Sequence, residues 1–537
     1  MSASRIPRRG ATAAMGRARR TLARLLGLAV IAMLSSAHVG TFDSFFVGEA
    51  GPYRVQVTVR APGVVPGLAQ ITVRVPDPGV RRVTTQAARW NLGTRGAPRP
   101  DEAVRVPGDS ALWASELWLM TSGAHAIHVA VEGPAGSGRV TVPYNSVATR
   151  QLEMRGALSW ILAGLGLFLV AGLASIVGAS ARDAILPAGA PLDRSARRRG
   201  RVATAVGAAV IVLGLLGGRA WWNRVDAAYR SGLFRPLPSQ ATVRVDSGVP
   251  VLRLTMDGSE WSNGVGAPLV PDHGKLMHLF LVRLPGMEAF AHLHPARVDS
   301  FLFETAVPAL PAGAYRYYAD IVHESGFAQT MTGSVTLPDG EGSARLPDPD
   351  DAVLAGTPAS GDSTGLGDGV RVVWERPARL VAGEEARLRF RVRDAAGAPV
   401  LLEPYLGMPG HAMIAREDGE VFVHLHAMGT VSAAAIAVLE ALERGDTLAS
   451  RRPYAPRPRL DAVTDAPVES DHGAHAVTSD LDFPFAFPRP GRYGVWVQVR
   501  VSGTVRTAAF VVDVAAERRA DRRVSLRALV SRAKPST

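Results

Sequence analysis

Apolar positions in this chain follow two rhythms: three unbroken runs near the N-terminus, and a period-two alternation over most of the rest. Residues 156–179 (GALSWILAGLGLFLVAGLASIVGA) carry no charge and are long enough for a transmembrane helix, which needs about 20 residues. Residues 202–218 are equally uncharged and are followed by Trp221 and Trp222, side chains suited to a membrane interface. The first run, 25–37, is short and follows Arg5, Arg8, Arg9, Arg17, Arg19, Arg20 and Arg24, the layout of a signal peptide or signal anchor. Ser35-Ser36-Ala37 offers small residues for cleavage, which would leave His38 at the new N-terminus.

Elsewhere the alternation predicts strands. Residues 53–60 (YRVQVTVR) and 70–75 (QITVRV) place every second side chain on one face, and Pro and Gly punctuate such runs at short spacing. A block recurs three times: a glycine, an aromatic or His two residues on, an alternating strand, a turn and another strand. The copies begin at Gly123, Gly313 and Gly491, and each reads as the closing hairpin of a sandwich. Residues 432–444 are the one stretch outside the membrane runs with a helical pattern. The expected fold is mainly β: three immunoglobulin-like β-sandwich domains plus two transmembrane helices and an N-terminal signal peptide or anchor. The expected order is a signal segment (1–37), a first extracytoplasmic sandwich (38–155), a transmembrane helix (156–180), a cytoplasmic basic loop (181–201) and a second transmembrane helix (202–220). A second sandwich (236–340), a linker (341–367), a third sandwich (368–515) and a basic tail (516–537) follow.

Charge sharpens the topology. The formal net charge of +12 would suit a nucleic-acid partner, but its arginines crowd the apolar runs. Arg182, Arg194, Arg197, Arg198, Arg199 and Arg201 lie between the second and third runs. By the positive-inside rule this loop and the extreme N-terminus are cytoplasmic. The protein is then expected in the cell membrane with its large domains on the extracytoplasmic, periplasmic side, and with no nucleic-acid partner. Cysteine is absent, which leaves no disulfides, no thiolate ligands and no thiol nucleophile.

The candidate chemistry lies in histidine. Of 13 histidines, ten fall between His273 and His475. Residues 277–294 read MHLFLVRLPGMEAFAHLH and residues 410–426 read GHAMIAREDGEVFVHLH. The blocks align His278 with His411, and Phe290-x-His292-x-His294 with Phe422-x-His424-x-His426. Residues two apart share one face of a strand, and each block turns at its centre, at Pro285-Gly286 or Asp418-Gly419. Pairing about these turns sets His411 opposite His426 and His278 opposite His294. Three imidazoles then converge on each hairpin, giving one expected metal site at His278, His292 and His294 and another at His411, His424 and His426. Met408 and Met428 are candidate soft ligands, and His273, His323 and the loop holding His472 and His475 could complete the coordination. Copper is the first expectation and zinc the second, since imidazole suits both and thioether sulfur selects Cu(I). The plainer reading is that paired histidines only stiffen the hairpins. His38, His125 and His128, taken singly, read as ordinary histidines.

The H…FxHLH hairpin on small sandwiches behind membrane anchors resembles bacterial membrane proteins with tandem HLHP-type domains. More distantly it resembles the CopC-like and YtkA-like extracytoplasmic modules associated with copper handling. The resemblance covers regions 236–340 and 368–515. Pro295 completes HLHP in the first copy, whereas Ala427 replaces the proline in the second. In CopC-like proteins a mature N-terminal histidine joins the copper site, a place His38 would take after cleavage at Ala37.

No Walker A loop, strand-placed GxGxxG or HExxH occurs, so the chain reads as no enzyme. The leading expectation is a metal-binding protein for copper storage, sensing or delivery. A structural or interaction module with an envelope protein partner is the alternative, and a copper-dependent oxidoreductase is a third.

Overall fold

A computed structural model describes residues 43–154, 156–185, 191–246, 249–257, 268–339, 342, 346–445 and 478–517. The signal segment, His38, the loop with His472 and His475, and the tail beyond 517 lie outside the described residues.

The chain is mainly β, as its alternation predicts, with several sandwich-like sheets and two long apolar helices. In the first sandwich Ser44–Ala50, Tyr53–Arg60, Gly67–Arg74, Asp109–Leu119 and Val104–Val106 form one sheet in that order. Asp101–Glu102, Arg82–Arg89, Gly123–Gly133 and Gly136–Ser146 form the other. Val55, Val57 and Val59 from one sheet meet Ile127, Val129 and Val131 from the other, so the period-two pattern becomes a core between two layers.

The second sandwich sets Ser239–Asp246, Val249–Met256, Leu302–Ala306 and Ala296–Arg297 against a larger sheet. That sheet runs Leu269–Val270, Gly313–His323, His278–Val282, Ala289–Leu293, Ala352–Ala355, with Ala328–Leu337 also paired to Gly313–His323. The third sets Ser363–Gly367, Val370–Glu375, Glu385–Arg393 and Asp480–Ala486 against Phe422–Leu425, His411–Arg416, Gly491–Val501 and Thr504–Val514. The three repeated hairpins open at Gly123, Gly313 and Gly491 with φ of +114°, +132° and +136°, a conformation open to a residue without Cβ. Residues 341–367, expected as a linker, instead supply strands to both neighbours: Ala352–Ala355 pairs with Ala289–Leu293, and Ser363–Gly367 with Val370–Glu375. The helix expected at 432–444 is present as Ala433–Arg444, where the Ser432 side chain accepts from Ala435 N.

The apolar helices span Gly156–Asp183 and Arg194–Ser231, both long and apolar enough to cross a membrane. They touch through Ala174 and Gly178 on one and Ala196 and Gly200 on the other. A side chain at Gly178 would run into Thr204, so small residues permit close approach. The loop expected at 181–201 is shorter than its charge suggested. Asp193 accepts from Ala196 N at 2.6 Å and caps a helix that takes in Arg194 through Arg201, and that helix continues beyond the tryptophan pair. Charge pattern marks where a helix leaves the apolar layer, not where its backbone ends.

The end of the second helix returns to the segment that leaves the first sandwich. Tyr229 Oη donates to the Arg150 carbonyl at 3.2 Å, and Phe234 N donates to the Ala148 carbonyl at 2.7 Å. The three sandwiches also pack on one another. Val47 N donates to Met428 O and Thr430 N to Phe45 O, at 2.8 and 2.9 Å, and Asn145 Nδ2 donates to Ala328 O at 2.7 Å. Residues on either side of the helical pair therefore lie together, on the same side of any membrane it crosses.

Candidate metal centre

The hairpin registers follow the sequence expectation. Leu279 pairs with Leu293 and Ala412 with Leu425, so one step outward His278 stands against His294 and His411 against His426. Leu279, Leu281, Ala289, Ala291 and Leu293 join the second core, while Ala412, Ile414, Val421, Val423 and Leu425 join the third.

The opposite faces, those with the histidines, form no two separate sites. They pack against each other. Phe280, Val282, Met287, Phe290 and Tyr318 from the second sandwich meet Met413, Ala415, Phe422 and Trp496 from the third in a shared apolar patch. Two stacks are reciprocal: Tyr318 on Phe422 at 4.1 Å, and Phe290 on Trp496 at 5.0 Å between ring centroids. Tyr318 and Trp496 hold the same place in the repeated hairpins that begin at Gly313 and Gly491, and Phe290 and Phe422 the same place in the histidine blocks.

Beside this patch all six expected histidines converge in one cage. His278 lies 5.3 Å from His424, and His292 lies 5.7 Å from His424, between ring centroids. His273 joins from the Asp272–Lys275 turn, 5.3 Å from His411 and 5.1 Å from His426. Potential ligand atoms within 4.8 Å of one another define two triads, His278/His292/His294 and His273/His411/His426. The second triad thus takes His273 where the sequence suggested His424, which stands between the triads instead. A third such group, His294/Asp348/Asp351, shares His294 with the first.

The first triad is held from outside. His278 Nε2 lies 3.2 Å from the Asp272 carbonyl oxygen. His292 Nδ1 lies 2.8 Å from Gln498 Oε1, whose amide is oriented by donation from Nε2 to Thr507 Oγ1 at 3.0 Å. His294 Nδ1 and its backbone N both reach Asp351 Oδ1, at 3.0 and 2.8 Å. Carbonyl and carboxylate oxygens only accept, so these three outer nitrogens carry the protons. The inner nitrogens then present bare lone pairs. His278 Nδ1 and His292 Nε2 face each other at 3.0 Å, and His294 Nε2 is buried with no partner. In that tautomer the pair repels unless a cation sits with it; with the proton on His278 Nδ1 the same pair is a plain hydrogen bond.

The second triad is held more loosely: the buried Asp272 carboxylate, which accepts from Ala434 N at 2.9 Å, stands 3.9 Å from His273 Nε2. Among the described residues neither nitrogen of His411 or His426 has a hydrogen-bond partner, nor do His273 Nε2 and His424 Nε2; the Val431 backbone near His426 falls outside hydrogen-bond geometry. Buried polar atoms of this kind are rare, because each forfeits its solvation without return. Burial, reinforced by neighbouring histidines, holds His278, His292, His411 and His424 well below the ordinary imidazole range. Burial, with His273 beside it, brings His426 to about 4. Neutral imidazole is the ligand form.

Other expected contributors lie elsewhere. Met428 packs against the first core. Met408 is buried in the turn it closes with Tyr405, whose hydroxyl is 3.1 Å from His292 Nδ1. His323 is engaged by Gln329 at 2.7 Å. His128 Nδ1 sits 3.2 Å from Glu443 Oε1, tying the first sandwich to the Ala433–Arg444 helix. The sequence pattern singles out none of Asp272, Gln498 and Tyr405, and Asp351 falls in the stretch expected as a linker.

A family model described as a domain of unknown function (DUF8832) matches residues 364–516, the third sandwich. No curated protein matches the chain. Among solved structures, dimeric latent PorU from Porphyromonas gingivalis is similar at 8% identity over 89% of this chain and 34% of its own, with a TM-score of 0.13. A putative membrane anchored protein from Corynebacterium diphtheriae is similar at 8% identity over 88% and 96%, with a TM-score of 0.15. The ICAM-5 D1–D4 ectodomain fragment gives 10% identity, 87% and 83%, and 0.14.

Proposed function

We propose that this chain is a membrane-anchored extracytoplasmic metal-binding protein, acting in storage, sensing or delivery of copper rather than as an enzyme. The observation that carries it is the first triad: three outward nitrogens taken up by Asp272, Gln498 and Asp351, with three inward lone pairs converging. Outer partners of this kind fix the tautomer and raise the basicity of metal-ligating histidines. Copper comes first because an all-imidazole site follows the general affinity order, which peaks at Cu(II), and zinc second. The arginines at 194–201 favour the periplasmic side for the sandwiches. The second reading, in which the histidines merely staple two sandwiches and the protein serves an envelope partner, draws on the apolar patch of Phe280, Phe290, Phe422 and Trp496 beside the cage.

Separate titrations of Cu(I), Cu(II) and Zn(II) into the detergent-solubilised chain test the choice. Tight binding that disappears in His292→Leu/His294→Leu supports a metal handler. Affinity no better than that of an exposed histidine pair sinks that reading and leaves the staple.

A further inference from the structure

The two triads are unequal, and a cavity among the described residues touches the cage at His424 and His426. A space of about 160 Å³ opens where the three sandwiches meet, with Asn145 from the first, Asp320 and Gln329 from the second, and His424 and His426 from the third among its walls. Asp43 and Asp272 add two more carboxyl groups to its lining. His426 and His424 are 3% and 8% exposed, and His424 Nε2 and both His426 nitrogens lack partners. Among the first-triad histidines, none lines this cavity.

Resting on the metal-binding reading above, we infer that this cavity and the His273/His411/His426 triad form an entry station, from which a first-row transition-metal cation passes by way of His424 to a tighter seat at His278/His292/His294. Distances set the route. His424 is 4.5 Å from His426 and 5.4 Å from His411 on the entry side, and 5.3 Å from His278 on the far side, between ring centroids. An ion can therefore exchange one imidazole at a time. Asp320 Oδ2 stands 3.5 Å from His424 Nδ1, at the point where the cavity meets the cage. Carboxyl oxygens at the mouth are ligands for an arriving cation; burial raises Asp320 to about 7, so a cation reaching it at neutral pH also displaces the proton from the fraction that carries one. The second triad, whose nearest carboxylate lies 3.9 Å away and outside hydrogen-bond reach, then binds weakly enough to release, while the first triad, with three hydrogen-bonded outer partners, retains.

The test uses the full chain in detergent, with Co(II) absorption as the probe and Zn(II) as competitor. Wild type should take two equivalents whose affinities differ by at least about tenfold, the usual lower effect of outer-partner support. His411→Phe/His426→Phe should keep the tight equivalent and lose the weak one, with loading of the tight site slowed about tenfold. Asp320→Asn, nearly isosteric, should slow loading at unchanged equilibrium affinity, and it carries the test should the double variant fail to fold. Loading at the wild-type rate in Asp320→Asn, or two equivalents of equal affinity, would overturn the relay while leaving the metal centre standing. Wild type that takes up neither Co(II) nor Zn(II) would overturn both.

Discussion

Acid should pull the metal-free cage apart, and His426 sets the scale. In the unfolded chain an imidazole titrates near 6.5, whereas burial and His273 hold His426 to about 4 in the fold. The unfolded state therefore binds protons more readily, and stability falls as pH drops through 6.5, levelling only below about 4. Above pH 7 both states are neutral and the group contributes no slope. Integrating the proton difference, His426 alone costs about 2 kcal/mol at pH 5 and approaches about 3 kcal/mol at pH 4. His278, His292, His411 and His424 shift in the same direction. The His426 share by itself is a sizeable part of the roughly 5–15 kcal/mol typical of a folded domain. Urea unfolding of the chelator-treated chain, followed by tryptophan fluorescence, reads this directly, since Trp374 and Trp496 are both buried. Asp320, raised to about 7 in the fold, acts with the opposite sign as pH falls, so the His426 share is read as a difference: the drop from pH 7.5 to 5 should be about 2 kcal/mol smaller in His426→Leu than in wild type. The same pH dependence in both proteins would refute it.

Four further outcomes follow from particular contacts. Asp351→Ala strips the outer partner from His294 and should weaken metal binding at the first triad about 10- to 100-fold, read by competition with a chelator of known affinity. Trp496→Ala opens the patch between the second and third sandwiches at a residue with no exposure, and should cost about 3–5 kcal/mol in urea unfolding. Gly429 has φ +115° and its missing Cβ would strike the Phe45 carbonyl; Gly429→Ala should cost at least about 2 kcal/mol and raise hydrogen exchange along Ser44–Ala50. Because the chain has no cysteine, single replacements report topology cleanly: Ser334→Cys should react with an impermeant maleimide in intact spheroplasts, and Ser195→Cys only after permeabilisation.

Much of this arrangement is local, and the local part was legible. Strand period, hairpin turns at Asp418-Gly419 and Pro285-Gly286, and the helix capped at Ser432 depend on neighbours in sequence, so pattern reached them. The joining of two expected sites into one cage is a long-range event. A signal for it was present: Leu279-Phe280-Leu281-Val282 is apolar on both faces, as a strand buried on both sides requires, and a phenylalanine precedes each HxH. Both mark the histidine face as covered, not open. Asp351 and Gln498 escaped notice because each lies far along the chain from the histidine it holds, by 57 and 206 residues. His273 sits in a turn at φ +52°, outside any strand rhythm.

The reciprocal stacks, Tyr318 on Phe422 and Trp496 on Phe290, carry one more meaning. When a patch on one body contacts position j with its i, and the other body returns the contact with its own i and j, the two are related by a two-fold axis, as in the isologous interface of a homodimer. The second and third sandwiches meet in that way within a single polypeptide. A lone copy would offer half a cage and an uncovered aromatic face, so it would have to find a twin before it could bind anything. Covalent linkage removes that search and makes assembly independent of concentration. It also frees the halves to diverge. The equivalent supports already differ: Gln498 meets His292 at 2.8 Å in one half, and Asp320 stands 3.5 Å from His424 in the other.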